Sequence, residues 1–324
     1  MILVTGASGF VGSALACELA RRGQGVRAAA RTAPAGLRAE IQAAVMPDLG
    51  ADGDWRPLLS DIDCIVHCAA RVHVMRETAA DALAAYRRAN VEGTLRLARQ
   101  AAESGVRRFV LVSSIKVNGE QTAPGHPFTA ADLPHPVDPY GVSKWEAEQA
   151  LLALSRETGL EVVIVRPPLV YGPGVKANFL VMLRWLARGV PLPLGAVLHN
   201  RRSLVGLDNL CDLLIACCTA QAARGQTFLA ADGEDVSTTG LMQRMAAALG
   251  QPARLLPAPP ALLRGGAALL GRKGVAQRLL GSLQLDITHT RATLGWTPPV
   301  TVDEGLRRVA RAYRAGIVSD TGRT

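Results

Sequence analysis

Residues 1–12 read MILVTGASGFVG, and this stretch decides the fold. The apolar run Ile2–Thr5 predicts a β-strand, and Val11–Arg22 has the spacing of an amphipathic helix. Glycines in the turn between them permit a close approach of the backbone to a pyrophosphate, which the free N–H groups of the helix would bind. A strand–helix turn without a ligand is the alternative. In a dinucleotide site, the cofactor contacts are expected from Gly6, Gly9, Phe10, Val11 and Gly12.

Short β-rich runs alternate with helical patterns as far as Arg166. The predicted strands are Ile2–Thr5, Val26–Ala30, Cys64–His67, Phe109–Ser113 and Val162–Arg166. The predicted helices between them are Val11–Arg22, Ala79–Ser104 and Ser143–Thr158. Strand and helix in alternation indicate an α/β fold, a Rossmann-type doubly wound parallel sheet with helices on both faces. Ligands of such sheets bind beyond the carboxyl ends of the strands, where the strand order reverses.

The regular alternation stops after Arg166, where prolines become frequent. Helical patterns continue at Phe179–Arg188, Leu207–Ala222 and Thr239–Leu249. We therefore predict a cofactor-binding domain over residues 1–170, to which parts of 200–225 also belong. A smaller, partly interwoven substrate lobe is predicted over 171–318. Residues 319–324 are polar, and we expect a frayed tail there.

Charge and composition narrow the class of partner. The chain has 324 residues, 36 Lys and Arg against 27 Asp and Glu, and 4% aromatic residues. Its basic residues are spread along the sequence without an accompanying aromatic segment, which argues against a nucleic-acid partner and leaves phosphate ligands open. No uninterrupted apolar stretch reaches the length of a membrane span, so no membrane partner is expected.

The six cysteines lie in apolar runs without the spacing of a metal site. Adjacent Cys217 and Cys218 are poor candidates for a disulfide, and reduced thiols are typical of a cytosolic protein. The amino terminus lacks the basic region of a secretory signal. These features predict a soluble, cytoplasmic protein without a bound metal.

The end of the second predicted strand bears on the choice of cofactor. An acidic residue there binds the ribose hydroxyls of NAD, whereas an arginine accommodates the 2′-phosphate of NADP. The segment VRAAART at residues 26–32 has no carboxylate and places Arg31 at the exit of the strand. This favours NADP(H), with NAD(H) as the alternative. Arg31 could instead be a solvated surface residue that binds no cofactor. Asp48 and Leu49 are expected to flank the adenine, with a plain loop aspartate as the alternative.

Tyr140 and Lys144 are four residues apart at the start of a predicted helix, so they share one face. A nearby ammonium group stabilises a phenolate, which makes Tyr140 a candidate general acid or base for a carbonyl–alcohol pair. Tyrosine and lysine at this spacing are also common on helix surfaces. Ser114 follows a predicted strand and is expected to contact the same substrate oxygen, with Ser113 as the alternative. Asn90 is expected to organise water near Lys144.

These residues resemble those of the extended short-chain dehydrogenase/reductase family, also called the NAD-dependent epimerase/dehydratase family. The matching segments are TGASGFVG at 5–12, HCAA at 67–70, NVEGT at 90–94, LVSSIKVNG at 111–119, YGVSK at 140–144 and RPPLVYGPG at 166–174. The resemblance implies a Rossmann domain with a small substrate lobe. It also implies that Ser114, Tyr140 and Lys144 are catalytic, that Asn90 supports them, and that Ala69 and Ala70 line the cofactor. Members of the family often form homodimers, which we expect here.

The nucleotide-sugar branch of the family has an asparagine after the RPxxVYGP segment and a later arginine that bind the diphosphate. The resemblance assigns these roles to Asn178 and Arg202, with Lys176 assisting, and places Asp286 near the nucleotide. An Asn178 that caps a helix and a solvated Arg202 are the alternatives. Leu169 and Arg31 depart from the usual epimerase pattern and resemble reductase branches such as the dihydroflavonol reductases.

The segments SSIKVNGE and RPPLVYGPGVKANF resemble those of bacterial surface-polysaccharide enzymes. The resemblance implies reduction of the C4 ketone of a UDP-4-keto-6-deoxy-N-acetylhexosamine to UDP-N-acetylquinovosamine. A UDP-hexose or UDP-N-acetylhexosamine 4-epimerase with tightly bound NAD is the alternative from the same fold. A non-catalytic, dinucleotide-binding redox sensor is the alternative from another class.

Overall fold

The computed structural model describes residues 1–34, 37–50, 52–72, 81–123, 125–271 and 273–316. Its main feature is a seven-stranded parallel sheet in the order β3-β2-β1-β4-β5-β6-β9. The strands are β1 (Ile2–Thr5), β2 (Val26–Ala30), β3 (Ile41–Val45), β4 (Cys64–His67), β5 (Arg108–Val112), β6 (Glu161–Arg166) and β9 (Thr227–Leu229). The order reverses between β1 and β4, which directs any ligand to the carboxyl ends of these two strands. The predicted doubly wound α/β class is confirmed.

Successive strand residues point to opposite faces of the sheet, and each face has its own helices. Leu3 of β1 packs in a core with α3 (Gly93–Glu103) and α4 (Pro139–Thr158). Its neighbour Val4 packs in the opposite core with α1 (Phe10–Arg21) and α6 (Leu207–Thr219). The central strand β1 is therefore apolar over residues 2–4, since both of its faces are buried.

A second core lies beside a three-stranded sheet in the order β10-β8-β7. Its strands are β7 (Leu169–Tyr171), β8 (Arg202–Gly206) and β10 (Asp235–Val236). The remaining helices are α2 (Ala82–Arg87), α5 (Ala177–Ala187), α7 (Thr238–Ala248), α8 (Pro260–Leu269), α9 (Lys273–Leu280), α10 (Thr288–Leu294) and α11 (Val302–Arg314). Phe179, Met245 and Val309 bring α5, α7 and α11 together in this second core. The chain then returns from the small sheet to the large one, because β8 leads directly into α6, which packs against the large sheet.

The predicted helix Ala79–Ser104 differs from the structure. Residues 79 and 80 lie outside the described residues, and α2 and α3 are separated by a turn of π-helix at Arg88–Glu92. Asn90 lies in the middle of this turn, and its side chain binds the main chain of Arg71. The predicted frayed tail, 319–324, also lies outside the described residues. Among the residues that the structure describes, no helix is long and apolar enough to cross a bilayer.

Candidate active site

The glycine turn joins β1 to α1 at the point where the strand order reverses. Gly6 has a φ of +68°, and a Cβ atom there would lie 2.7 Å from the amide nitrogen of Ala69 after β4. A Cβ on Gly12 would lie 2.3 Å from the carbonyl oxygen of Gly6. A side chain at either position would therefore collide with backbone. The first turn of α1 has no acidic residue, so its N–H groups and positive end are suited to a pyrophosphate.

A cleft of about 1140 Å³ opens above this turn. It brings together twelve of the residues predicted from the sequence: Gly6, Gly9, Phe10, Val11, Gly12, Arg31, Asp48, Leu49, Ala69, Ala70, Ser114 and Tyr140. The first ten were predicted to contact a dinucleotide, Ser114 to contact the substrate oxygen, and Tyr140 to transfer the proton. A single cleft thus holds the predicted cofactor wall and the predicted reacting groups.

Arg31 and Asp48 lie at the ends of neighbouring strands β2 and β3. Both side chains are exposed and line the cleft. Within the described part of the chain, neither forms an ion pair with another side chain. Both are therefore available to the adenosine half of a dinucleotide, one as a cation and one as a carboxylate.

Tyr140 lies in the first turn of α4, close to Ser114. Helix α4 starts at Pro139, and the carboxylate of Asp138 caps it by accepting a hydrogen bond from the Gly141 amide at 2.6 Å. Ser114 follows β5 and forms a side-chain hydrogen bond with Tyr140. The two hydroxyls are therefore placed to contact one substrate oxygen.

Burial controls the protonation of this pair. It raises the pKa of Tyr140 to about 12, and the hydrogen bond from Ser114 only partly opposes that rise. Burial also lowers the pKa of Lys144 to about 8, against the opposing attraction of Glu148. We expected the Lys144 ammonium to lower the pKa of Tyr140, and the net shift is in the other direction because desolvation is the larger effect. In this state Tyr140 is a neutral phenol at pH 7, suited to donate a proton.

The structure distinguishes the two candidate serines. The Ser113 hydroxyl is buried and donates a hydrogen bond to the Glu148 carboxylate. Both serines border the cleft, but Ser114 is less buried, and its Oγ accepts a hydrogen bond from the Lys116 amide at 3.2 Å instead of donating to a carboxylate. Ser114 is therefore the hydroxyl that a ligand in the cleft can reach.

Asn90 supports the site through protein contacts. Its Oδ1 accepts a hydrogen bond from the Arg71 amide at 2.8 Å. Its Nδ2 donates to the Arg71 carbonyl and to Ser143 Oγ, both at 3.0 Å. These bonds tie the loop after β4 to the residue before Lys144. Both N–H groups of the amide are thus bound to protein atoms, and the organisation of water by Asn90 stays a prediction.

The residues predicted to bind the diphosphate or to lie near the nucleotide are not among those that line the cleft within the described ranges. Lys176 and Asn178 are exposed at the start of α5. Arg202 is half-buried, and its Nη1 donates to the Gly281 carbonyl at 3.2 Å. The Asp286 carboxylate accepts a hydrogen bond from the Thr288 amide at 2.7 Å, at the start of α10. The structure thus leaves Lys176 and Asn178 open to solvent and binds Arg202 and Asp286 to main chain.

Several cleft residues were not predicted. Arg71 lies with its guanidinium carbon 5.5 Å from the centre of the Tyr86 ring, and Arg88 Nε donates to the Gly50 carbonyl at 2.6 Å. Cys68 is half-buried beside Ala69, and burial raises its pKa to about 12, so it is a neutral thiol. Cys68 lies within the HCAA segment and Arg71 follows it directly, so this motif could have indicated both residues. Arg88 reaches the cleft from the π-helical turn, for which the sequence has no signal.

The comparisons with known proteins agree with this geometry. A model of the NAD dependent epimerase/dehydratase family matches residues 2–231. A UDP-glucose 4-epimerase of Vibrio cholerae is 45% identical over 316 residues, which cover 96% of this chain and 95% of the relative. The chain belongs to the NAD-dependent epimerase/dehydratase family. The resemblance drawn from its motifs is confirmed.

Other relatives of this family member differ in their chemistry. A 2-alkyl-3-oxoalkanoate reductase of Stenotrophomonas maltophilia is 29% identical and covers 97% of the chain and 99% of the relative. The solved structure of MoeE5 in complex with UDP-glucose and NAD is 26% identical, with a TM-score of 0.76 over 98% of this chain and 99% of that one. An epimerase and a reductase are therefore both similar to this chain over nearly its whole length.

Proposed function

We propose that this enzyme is a UDP-sugar 4-epimerase that uses bound NAD. The observation that carries the proposal is the placement of Tyr140 and Ser114 against the glycine turn in one cleft. The 45% identical relative is named a UDP-glucose 4-epimerase, and MoeE5 was solved with UDP-glucose and NAD. We expected NADP, and these relatives favour NAD instead.

The residues present fit a dinucleotide. The missing side chains at Gly6 and Gly12 leave room that a Cβ would fill, and the N-terminus of α1 supplies donors for the pyrophosphate. Arg31 and Asp48 face the cleft where the adenosine half would bind. NAD, when bound, supplies the reversible acceptance of hydride from a sugar carbon.

The protein's own contribution is proton transfer and positioning. Tyr140 exchanges a proton with the C4 oxygen: as a phenolate it takes the proton from the alcohol, and as the neutral phenol it returns the proton to the alkoxide. Ser114 donates a hydrogen bond to that oxygen as its charge changes. Lys144, one helical turn beyond Tyr140, supplies a positive charge that favours the phenolate when the proton has left.

Net reduction of a UDP-4-keto-6-deoxy-N-acetylhexosamine is the second candidate. The observation that favours it is Arg31, which stands exposed in the cleft where a carboxylate is typical of NAD enzymes. An epimerase regenerates its cofactor in each turnover, whereas a net reductase exchanges it. Copurified NAD(H) that resists dialysis would favour the epimerase, and NADPH consumed in proportion to a 4-keto substrate would favour the reductase.

The test is identification by NMR of the products formed from UDP-glucose, UDP-N-acetylglucosamine and UDP-4-keto-6-deoxy-N-acetylglucosamine, each with NAD(H) and NADP(H). The epimerase predicts the C4 epimer of at least one UDP-sugar without net consumption of cofactor. Turnover of the 4-keto sugar alone, with stoichiometric oxidation of NADPH, would replace epimerisation by reduction. Binding of dinucleotide with no conversion of any of these sugars would favour the redox sensor.

A further inference from the structure

Glu148 is a buried carboxylate that the proposed mechanism does not use. It lies on α4 one helical turn beyond Lys144 and is 1% exposed. Its Oε1 accepts hydrogen bonds from Ser113 and, at 3.0 Å, from Arg166 Nε, while its Oε2 accepts one from Arg166 Nη2 at 2.5 Å. Three elements, α4, β5 and β6, therefore meet on one side chain.

The partners of Glu148 are themselves held in place. Arg166 is 5% exposed, and its Nη1 donates to the Asn118 side chain at 3.0 Å. Ser113 is 3% exposed and immediately precedes Ser114, while Arg166 precedes the prolines that line the cleft. The carboxylate is thus fixed by a fully buried network, and it has little freedom to move relative to its own helix.

Lys144 needs an opposing charge in this environment. It is 1% exposed, and burial disfavours its ammonium form. The titratable or charged groups around it are Tyr140 and Glu148 on its own helix, His67 and Cys68 at the end of β4, and Arg166 on β6. His67 is neutral because burial lowers its pKa to about 3, and Cys68 is a neutral thiol. Glu148 is the one anion in this set.

We propose that Glu148 is a positioning residue for Lys144, held by Ser113 and Arg166 so that its carboxylate keeps a cation one turn away, beside Tyr140. Residues four apart on a helix lie on the same face, about 5–6 Å apart at their Cβ atoms. The inference rests on the proposed function only for its use in proton transfer. The charge state of Lys144 exists with or without a substrate.

The sequence has four lysines, Lys116, Lys144, Lys176 and Lys273, so each can be followed by NMR in protein labelled at lysine Cε. Lys144→Met identifies the Lys144 signal. In Glu148→Gln we expect the pKa of Lys144 to fall by about one pH unit or more, because the opposing carboxylate is lost. Dinucleotide affinity, measured by fluorescence across pH, should begin to fall at a correspondingly lower pH.

Glu146→Gln is the matched control. Glu146 lies on the same helix, and its carboxylate pairs with Arg87 at 2.6 Å on the surface. This variant should leave the Lys144 titration unchanged. An equal fall in both variants would overturn the proposal, as would an unchanged Lys144 titration in Glu148→Gln.

Glu148→Gln also leaves Arg166 without its buried partner, which can prevent folding. The double variant Glu148→Gln/Arg166→Met removes both charges and should fold more readily. The pKa of Lys144 should again lie below that of the native protein, and a native value would overturn the proposal. If no UDP-sugar were turned over, the Lys144 titration would still decide this inference, so the two proposals fail separately.

Discussion

The cofactor side of the cleft and the second core differ in how their predicted ligands are arranged. Gly6 and Ala69 follow the ends of adjacent strands β1 and β4, and Gly12 lies in the first turn of α1, so short motifs place all three in one cleft. Asn178 and Arg202 belong to α5 and β8, and neither lines that cleft. A cofactor site built on adjacent parallel strands is readable from local sequence, whereas a substrate site built across two cores depends on their packing.

The largest expected effect breaks the cofactor side. In Gly12→Ala, the new Cβ would lie 2.3 Å from the Gly6 carbonyl oxygen, so the pyrophosphate turn must shift. Overpacking of this kind costs about 1–3 kcal/mol, which corresponds to a roughly 10- to 100-fold loss of affinity for NAD. Isothermal titration measures it. Gly265→Ala in α8 is the control, because no neighbouring atom lies within 4 Å of its Cβ; equal affinities of the two variants would contradict the role of the turn.

The second prediction concerns the contribution of the second core to substrate binding. Arg202→Leu removes a half-buried guanidinium whose pKa is lowered by burial and by Arg278. If Arg202 binds the substrate diphosphate, affinity for UDP should fall about tenfold while NAD affinity stays unchanged. Exposed Arg201→Leu is the control. Unchanged UDP binding in Arg202→Leu would remove this residue from the substrate site.

A smaller effect separates the two candidate cofactors. Arg31→Asp replaces the cleft arginine with a residue suited to ribose hydroxyls. The ratio of NADP to NAD affinity should fall several-fold, by about 1 kcal/mol of binding free energy. Arg38→Asp is the control. Arg38 is exposed, pairs with Glu40 and does not line the cleft. An unchanged ratio would mean that Arg31 is solvated surface.

The smallest effect is on stability. The pKa of Lys144 is lowered from 10.5 to about 8 in the folded protein, so the unfolded chain binds more protons between those values. Stability from this group therefore rises as pH increases through about 8. Lys144→Met has no group that titrates here. The Tm of the variant minus the Tm of the native protein should therefore be larger at pH 7 than at pH 9.5. A Tm difference that does not change with pH would contradict the burial of this charge.

Sequence reasoning placed the strands well where both faces are buried. Val26–Ala30 and Cys64–His67 have the predicted bounds, because continuous apolar runs are typical of central parallel strands. It missed Ile41–Val45, an edge strand whose residues are mostly exposed and which therefore lacks a continuous apolar run. It also missed β7 to β10, of which β7, β9 and β10 have only two or three residues and are too short to show periodicity.

The site itself was predicted where one segment carries the signal. YGVSK placed Tyr140 in the cleft, but the choice of Ser114 over Ser113 required Glu148, which lies 35 residues further along the chain. Asn90 likewise links the loop after β4 to α4 through its bonds to Arg71 and Ser143. Such contacts join distant residues, and no local pattern encodes them. The expected homodimer and the cytoplasmic location stay predictions.

The central claim is that Tyr140 transfers the proton in this cleft. The most direct measurement is kcat of Tyr140→Phe on the UDP-sugar that the native enzyme converts, with NAD affinity measured on the same sample. We predict a loss of about 10²- to 10⁴-fold in kcat with NAD affinity retained, whereas Tyr313→Phe in the second core keeps the native rate. A native kcat in Tyr140→Phe would contradict the account.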